Sequence, residues 1–401
     1  MLAIRPLKIR FMKLLINISR FIVGFVFIFS GLVKANDPMG LSYKMQEFFA
    51  VWNFHSLDQY TLTFSIIMIV FEIVAGVAVL LGWQMKLFGW LLLLLILFFS
   101  FLTGYAYLSG KIRECGCFGD CIPLSAGQSF AKDLILLMLV VFLFAGSIQI
   151  KPALGKTANI ALLALATIFS FSLQWFVLEH LPVIDCLPYK KGANIPANMK
   201  APEGSVPDST VISFVYSKNG REIEFTADKF PADFDDTYKF VKRYDKLVRK
   251  GNAEPPIKDF VLTTAQGTDA TESILYLKGY KLFMFLKTPE SPSPGWAKEF
   301  SVIYTYAKSK KIPIFFITAN YDQVAAWLSL MGIDREVSLV TCDATAIKTA
   351  ARVDPTLYLL KQGTILEKWS HADFDQAILE MNALPSQDRT VQLTDSLNQA
   401  R

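Results

Sequence analysis

Residues 90–102 read Trp-Leu-Leu-Leu-Leu-Leu-Ile-Leu-Phe-Phe-Ser-Phe-Leu, a run without a single charge. Lipid offers the backbone no hydrogen-bond partner, so a segment of this kind crosses a bilayer as a helix that satisfies itself. Four more apolar stretches join it, giving candidate spans at about 17–35, 61–82, 87–108, 134–150 and 158–181. Each is near the ~20 residues that a hydrocarbon core requires. Arg20 interrupts the start of the first span and reads as a snorkelling cation at the interface. No small-residue cleavage pattern follows, so this span reads as a retained helix rather than a removed signal.

Loop charge supplies an orientation. With the N-terminus inside, segments 1–20, 83–88 and 151–157 carry eight Lys and Arg, whereas the outer loops 34–60 and 109–130 carry four in a longer stretch of chain. The bias predicts a cytoplasmic N-terminus. Five spans then put residues 109–130 and everything after residue 182 on the opposite side. The net charge of +5 is mostly this orientation signal. No basic stripe interleaved with aromatics suggests nucleic-acid binding.

Beyond the spans the composition becomes mixed. Residues 183–210, with Pro188, Pro196, Pro202 and Pro207, read as a linker. Asn219-Gly220 between two short apolar runs predicts a type I′ hairpin. Residues 233–250 place Phe234, Tyr238, Val241, Tyr244 and Val248 at helical spacing, so 211–251 reads as a hairpin plus a helix. From 252 to 385 strand and helix patterns alternate and close on a hairpin and a helix, the signature of an α/β sandwich. Residues 386–401 form a polar tail.

Three of the five cysteines fall within Cys115-Gly-Cys117-Phe-Gly-Asp-Cys121, in a loop between two spans; Cys186 follows the fifth span. Closely spaced thiols beside a membrane can exchange disulfides, and a lipid-soluble quinone can reach them. Four cysteines allow three pairings, and spacing does not choose among them. Structural bridges, thiol–disulfide exchange and a zinc site are all open; metal ranks last because no histidine stands near and an oxidising compartment favours disulfides. Glu72 lies mid-span, where a carboxylate is costly unless paired, and Lys34 at the outer end of the first span is its candidate partner. Lys132 and Asp133 read as marking the interface at the start of the fourth span.

The motifs Gly24…Phe29-Ser30-Gly31-Leu-Val-Lys34, Glu72-Ile-Val-Ala-Gly76…Gly82 and Cys-Gly-Cys-Phe-Gly occur in order, and residues 1–150 resemble the DoxX/MauE-like four-helix membrane proteins. Some of that family are linked to quinone-coupled oxidation and some to disulfide formation. Residues 151–182 then supply a fifth transmembrane helix. Pro256-Ile-Lys-Asp-Phe-Val-Leu and Asp354-Pro355-Thr356 within 252–385 resemble the thioredoxin-like fold in its peroxiredoxin and TlpA-like form. The resemblance implies a cis Pro355. Where that family carries Cys-x-x-Cys this chain reads Thr288-Pro-Glu-Ser-Pro-Ser-Pro-Gly295, so the soluble domain has lost the usual redox pair. Cys342, its sole thiol, reads as a small buried apolar residue.

The sequence therefore predicts a helical membrane bundle followed by a soluble α/β thioredoxin-like domain, in the inner membrane of a Gram-negative bacterium. The expected activity is a redox relay. Cys115, Cys117 or Cys121 exchanges a disulfide with a periplasmic partner protein, Cys186 resolves or staples, and a quinone near Glu72 takes the electrons. The surface around Ser291, Ser293 and Pro355 would bind the partner. The competing expectation is a non-enzymatic membrane-anchored binding or assembly factor with structural disulfides; small-solute transport rests on Glu72 alone.

Overall fold

The computed structural model describes residues 4–112, 116, 118–206, 209–249, 251, 253–287, 295–333 and 337–387. The first half is a bundle of α1 (Ile4–Ala35), α2 (Pro38–Val51), α3 (Thr61–Leu81), α4 (Met85–Ser109), α5 (Ala126–Ala145) and α6 (Lys156–Glu179). All but α2 contain a stretch long and apolar enough to cross a membrane, and this is a multi-pass membrane protein. With 14 residues α2 extends only about 21 Å and does not span. Asp37 caps it, accepting from Gly40 N at 2.9 Å, and Pro38 pre-sets its first turn.

Glycines set the closest helix approach. A Cβ on Gly24 would lie 2.6 Å from Leu80 Cγ, and one on Gly76 would lie 2.9 Å from Gly24 O, so α1 and α3 pack almost backbone to backbone. The fourth span differs from its expected bounds. Ser125 and Gln128 form a capping box that starts α5 at Ala126, eight residues earlier than apolar content alone suggests. Ser129 and Asp133 are therefore on the helix and buried in the bundle.

The soluble half holds two sheets. β1 (Ser209–Lys218) pairs antiparallel with β2 (Arg221–Thr226) and with β3 (Lys239–Arg249). Asn219 and Gly220 both take positive φ, 52° and 78°, as a type I′ turn demands. The helix expected over 233–250 is absent: residues 239–249 are strand β3. Phe234 and Tyr238, four apart, imitate a helix face, yet they precede the strand in a turn held by Thr237 N and Asp235 and pack on Tyr216 and Phe225. From Lys239 onward β-branched and aromatic residues gain more from pairing with β1 than from a solvated helix.

The second sheet contains β4 (Tyr280–Phe285), β5 (Ile314–Thr318), β6 (Ser338–Thr341), β7 (Thr356–Lys361) and β8 (Thr364–Ser370), in the order β6-β5-β4-β7-β8. β4, β5 and β6 run parallel; β7 and β8 are antiparallel to their neighbours. Alternation along β4 divides the core in two. Leu282 and Met284 face α9 (Ala297–Ser309), α10 (Tyr321–Met331) and α12 (Phe374–Ala383), while Phe283 and Phe285 face the opposite layer, which holds α8 (Thr271–Leu275) and α11 (Ala344–Ala350). Parallel β–α–β, a cis Asp354–Pro355 bond and a closing β-hairpin plus helix make this a thioredoxin-like domain. The expected opening strand at 256–267 is reduced to bridges from Thr263 to Asp269 and Thr341.

Residues 183–210 are not a free linker. Gly192 N donates to Ile365 O at 2.8 Å and Ile195 N to Gly363 O at 2.9 Å, so the segment extends the β8 edge. Leu187, Tyr189 and Ile195 are buried, and Pro196 opens the short helix α7 (Ile195–Asn198). Pro188, Pro196 and Pro202 start turns rather than loosen the chain.

Candidate functional site

The end of the bundle where α1 stops and α3 begins is crowded with functional groups. Gly31 allows the decisive approach: a Cβ there would lie 2.5 Å from Ile73 Cγ1. With α1 and α3 that close, Lys34 Nζ donates to both Glu72 carboxylate oxygens at 2.6 and 2.7 Å and to Ser30 Oγ at 2.8 Å. Ser30 Oγ in turn donates to Glu72 Oε2 at 3.2 Å. Lys34 and Glu72 are 2% and 0% exposed. The structure thus brings these two predicted residues together, as an ion pair buried among apolar helices.

A second charged pair stands beside it. Asp133, 1% exposed, accepts from Thr103 Oγ1 at 2.9 Å and pairs with Lys132 Nζ at 2.9 Å. The expected interfacial position of Asp133 is corrected by the early start of α5, which carries it two turns into the bundle. Ser30, Lys34, Glu72, Phe99, Lys132 and Asp133 surround a chamber of about 20 Å³, room for one water. Among the described residues no group of three His, Cys, Asp or Glu residues could hold a metal.

Beside this chamber lies an apolar cavity of about 390 Å³ between α2, α3 and α4. Phe48, Trp52, Phe64, Phe98 and Phe99 dominate its wall, and Lys34 and Thr103 provide its polar end. The same wall includes Gly116, the residue that separates Cys115 from Cys117 in sequence. Cys115 and Cys117 themselves lie outside the described residues, as do Ser291 and Ser293. Phe118 anchors the loop, its ring 5.9 Å from that of Phe29 and 4.7 Å beneath Lys132 Nζ.

Cys121 is bonded to Cys186, tying the loop to the start of the soluble half. Cys342 is reduced and 7% exposed; burial pushes its thiol up to about 12, which keeps it protonated and inert.

The soluble domain rests on this end of the bundle through the face that carries Pro355. Arg352 Nε donates to Asp37 Oδ2 at 2.9 Å, a second guanidinium nitrogen donates to Asp120, and the group lies 5.5 Å from the Tyr43 ring. Burial holds the Asp37 carboxyl above its ordinary range even though Arg352 opposes it. Burial also raises the Tyr43 hydroxyl to about 12. Lys287 Nζ donates to Tyr43 Oη at 3.3 Å, and Lys287 N donates to Asp354 Oδ1 at 2.9 Å. Asn36 exchanges two hydrogen bonds with the backbone of Ile184, at 2.8 and 2.9 Å. Pro355 is buried rather than offered as a surface. Neither Asp133 nor Arg352 was a sequence candidate; a charge inside an apolar run was the available signal for Asp133, and nothing local marks Arg352.

Residues 12–146 match the family described as Methylamine utilisation protein MauE. Residues 210–250, which cover the three-stranded sheet, match a family described as a domain of unknown function. The chain is 30% identical over 136 residues to Protein TlpB of Flavobacterium psychrophilum, covering 31% of this chain and 35% of that protein. It therefore spans about a third of the length of this curated relative. Among solved structures, BsSco, a member of the Sco family of cytochrome c oxidase assembly proteins, matches over 32% of this chain and 91% of its own. The identity there is 14% and the TM-score 0.25, too low to add to what the strand order establishes. The first five helices are thus similar to MauE, and a thioredoxin-like domain follows them in the same chain.

Proposed function

We propose that this protein is a quinone-linked thiol–disulfide relay of the DoxX/MauE type. It would act in an inner membrane with the soluble domain in the periplasm. The observation that carries the reading is the aromatic-walled cavity that touches both Gly116 of the Cys-Gly-Cys segment and Lys34 of the buried ion pair. Its volume lies in the range of small-molecule sites. Its apolar walls suit a ring and a hydrocarbon tail, and at its polar end Lys34 or Thr103 could donate to a carbonyl oxygen in exchange for one of its present hydrogen bonds, so these residues fit a quinone.

A bound quinone would accept two electrons and two protons as two thiols close to one disulfide. The chain's part would be to supply the thiols of Cys115 and Cys117, the sequence neighbours of Gly116, and to move the protons. Lys34 and Thr103 each link the cavity to a carboxylate, Glu72 and Asp133 respectively. Lys132, 23% exposed, connects Asp133 toward the loop side. A fully buried ion pair beside a half-buried one is costly in a membrane bundle and is expected at conduction or relay sites. The Cys121–Cys186 disulfide and the cation bias of the loops support an oxidising compartment for the soluble half.

The test is thiol-dependent quinone reduction by the purified protein in lipid. Cys115→Ser and Cys117→Ser should each bring the rate to background; full activity in both would sink the relay. A second reading, a non-enzymatic assembly factor with structural disulfides, is favoured by one observation. The Pro355 face, which would bind a partner, is already seated on the membrane half. Rapid acid quenching separates the two: a relay leaves a mixed disulfide with its partner protein, whereas an assembly factor leaves none.

A further inference from the structure

Between α2, residues 120–123, residues 186–198 and α11 lies an open cleft of about 940 Å³. Its wall includes Cys186 but not Cys121, so the disulfide borders the cleft at its Cys186 end. Gln46, Lys190, Asn198, Thr345 and Lys348 give the wall hydrogen-bonding and charged groups, while Pro123, Leu187 and Pro188 give it apolar ones. A small thiol needs little of this space. A wall that mixes amide, apolar and charged groups of both signs, Glu47 and Asp58 included, can meet both the backbone and the side chains of an extended stretch of polypeptide.

We infer that the cleft receives a polypeptide segment bearing two thiols, and that Cys186 is the sulfur its first thiolate attacks. This rests on the relay reading and specifies where electrons arrive. In the first step the incoming thiolate bonds to Cys186 Sγ, the Cys121–Cys186 bond breaks, and Cys121 leaves as a thiolate with the electron pair. The proton lost by the incoming thiol is available to Cys121. The substrate's second thiolate then attacks the substrate sulfur of the mixed disulfide and displaces Cys186. The substrate departs as a disulfide, and its two electrons remain as thiols on Cys121 and Cys186. Exchange with a disulfide of Cys115 and Cys117 returns the Cys121–Cys186 bond and passes the electrons to the quinone end.

Two features support exchange over stapling. First, non-covalent contacts hold the soluble domain on the bundle right beside this covalent tie. The double hydrogen bond of Asn36 with Ile184 lies two residues from Cys186, and Arg352 bridges Asp37 to Asp120, next to Cys121. A bridge serving only as a tie would duplicate these contacts. Second, the thioredoxin-like domain has no Cys-x-x-Cys of its own, and Cys186 stands just ahead of it facing the open cleft.

The test uses the full chain in lipid and a synthetic peptide with a single cysteine, which can form the mixed disulfide but not complete the second step. After acid quench and alkylation, mass spectrometry should place the peptide on Cys186 about tenfold or more over Cys121. A peptide found first on Cys121, or on neither, overturns the inference. The double variant Cys121→Ser/Cys186→Ser gives an independent readout. It should lose oxidation of a dithiol peptide. If it keeps that oxidation, the cleft is not the point of arrival although the relay stands. The relay fails separately if the unmodified protein reduces no quinone with a small dithiol, and the adduct map still decides the cleft.

Discussion

The two halves of the molecule bury charge for different ends. In the soluble half Lys281 is fully buried on β4, and its Nζ donates to Ile274 O and Leu275 O at 2.9 and 2.6 Å, closing the end of α8. No carboxylate is among those partners. In the membrane half Lys34 and Asp133 face a small chamber, and Lys34 also faces a ligand-sized cavity, with an oppositely charged neighbour for each. The soluble domain uses Lys281 as a structural cap. The bundle concentrates its buried charges where redox chemistry would need protons. The contrast extends to sulfur: the thioredoxin-like domain keeps the fold and one inert thiol, whereas the cysteine-rich segment sits on the membrane side.

The largest expected effect comes from breaking the membrane pair. Lys34→Met leaves Glu72 buried and unpaired and should destabilise the bundle by about 3–5 kcal/mol. Lys34→Met combined with Glu72→Leu should recover most of the thermal stability in detergent while quinone reduction stays at background. Recovery of both would reduce the pair to a packing device. Next in size is Arg352→Ala, which strands the buried Asp37 carboxyl and should cost about 3 kcal/mol of interdomain docking. Faster hydrogen exchange over α2 with the Cys121–Cys186 bond intact would show it.

A comparable effect tests the structural role of Lys281. Desolvation lowers its pKa from 10.5 to about 8. Between those values the unfolded chain holds the proton that the folded chain has released, so stability rises with pH across that window. The rise amounts to about 3 kcal/mol in total. The cost of burying the charge is fully present below pH 8. Lys281→Met should flatten that rise in pH-dependent melting of the full chain; an unchanged slope would remove Lys281 as its cause. The smallest effect is at Cys342. Its thiol, raised to about 12 by burial, should resist alkylation by polar maleimides at pH 8 until the domain unfolds.

The bundle was legible because lipid enforces long uniform apolar runs, and the Glu72 position stood out against them. The α5 boundary was not, since Gln128, Ser129, Lys132 and Asp133 read as a polar flank until the Ser125 cap shows them to be helix. Strand β3 was hidden because Phe234 and Tyr238 happen to be four apart. The packed segment 183–210 was hidden because its prolines suggest a loose chain while Tyr189 and Ile195 find their pockets only in the folded domain. Arg352 illustrates the general limit. Its partners Asp37 and Asp120 are more than two hundred residues away in the chain, and no local pattern encodes such a contact. The cavity that joins Gly116 to Lys34 is of the same kind, assembled from α2, α3 and α4 together.

The central claim is that redox chemistry resides in the membrane half at the Cys-Gly-Cys segment. It is tested most directly by alkylation mass spectrometry on the mildly reduced protein in lipid, before and after addition of a short-chain quinone without oxygen. The account predicts that Cys115 and Cys117 pass from alkylated to protected as quinol forms in equal amount, with Cys342 unchanged. Cysteines whose state ignores the quinone would contradict it.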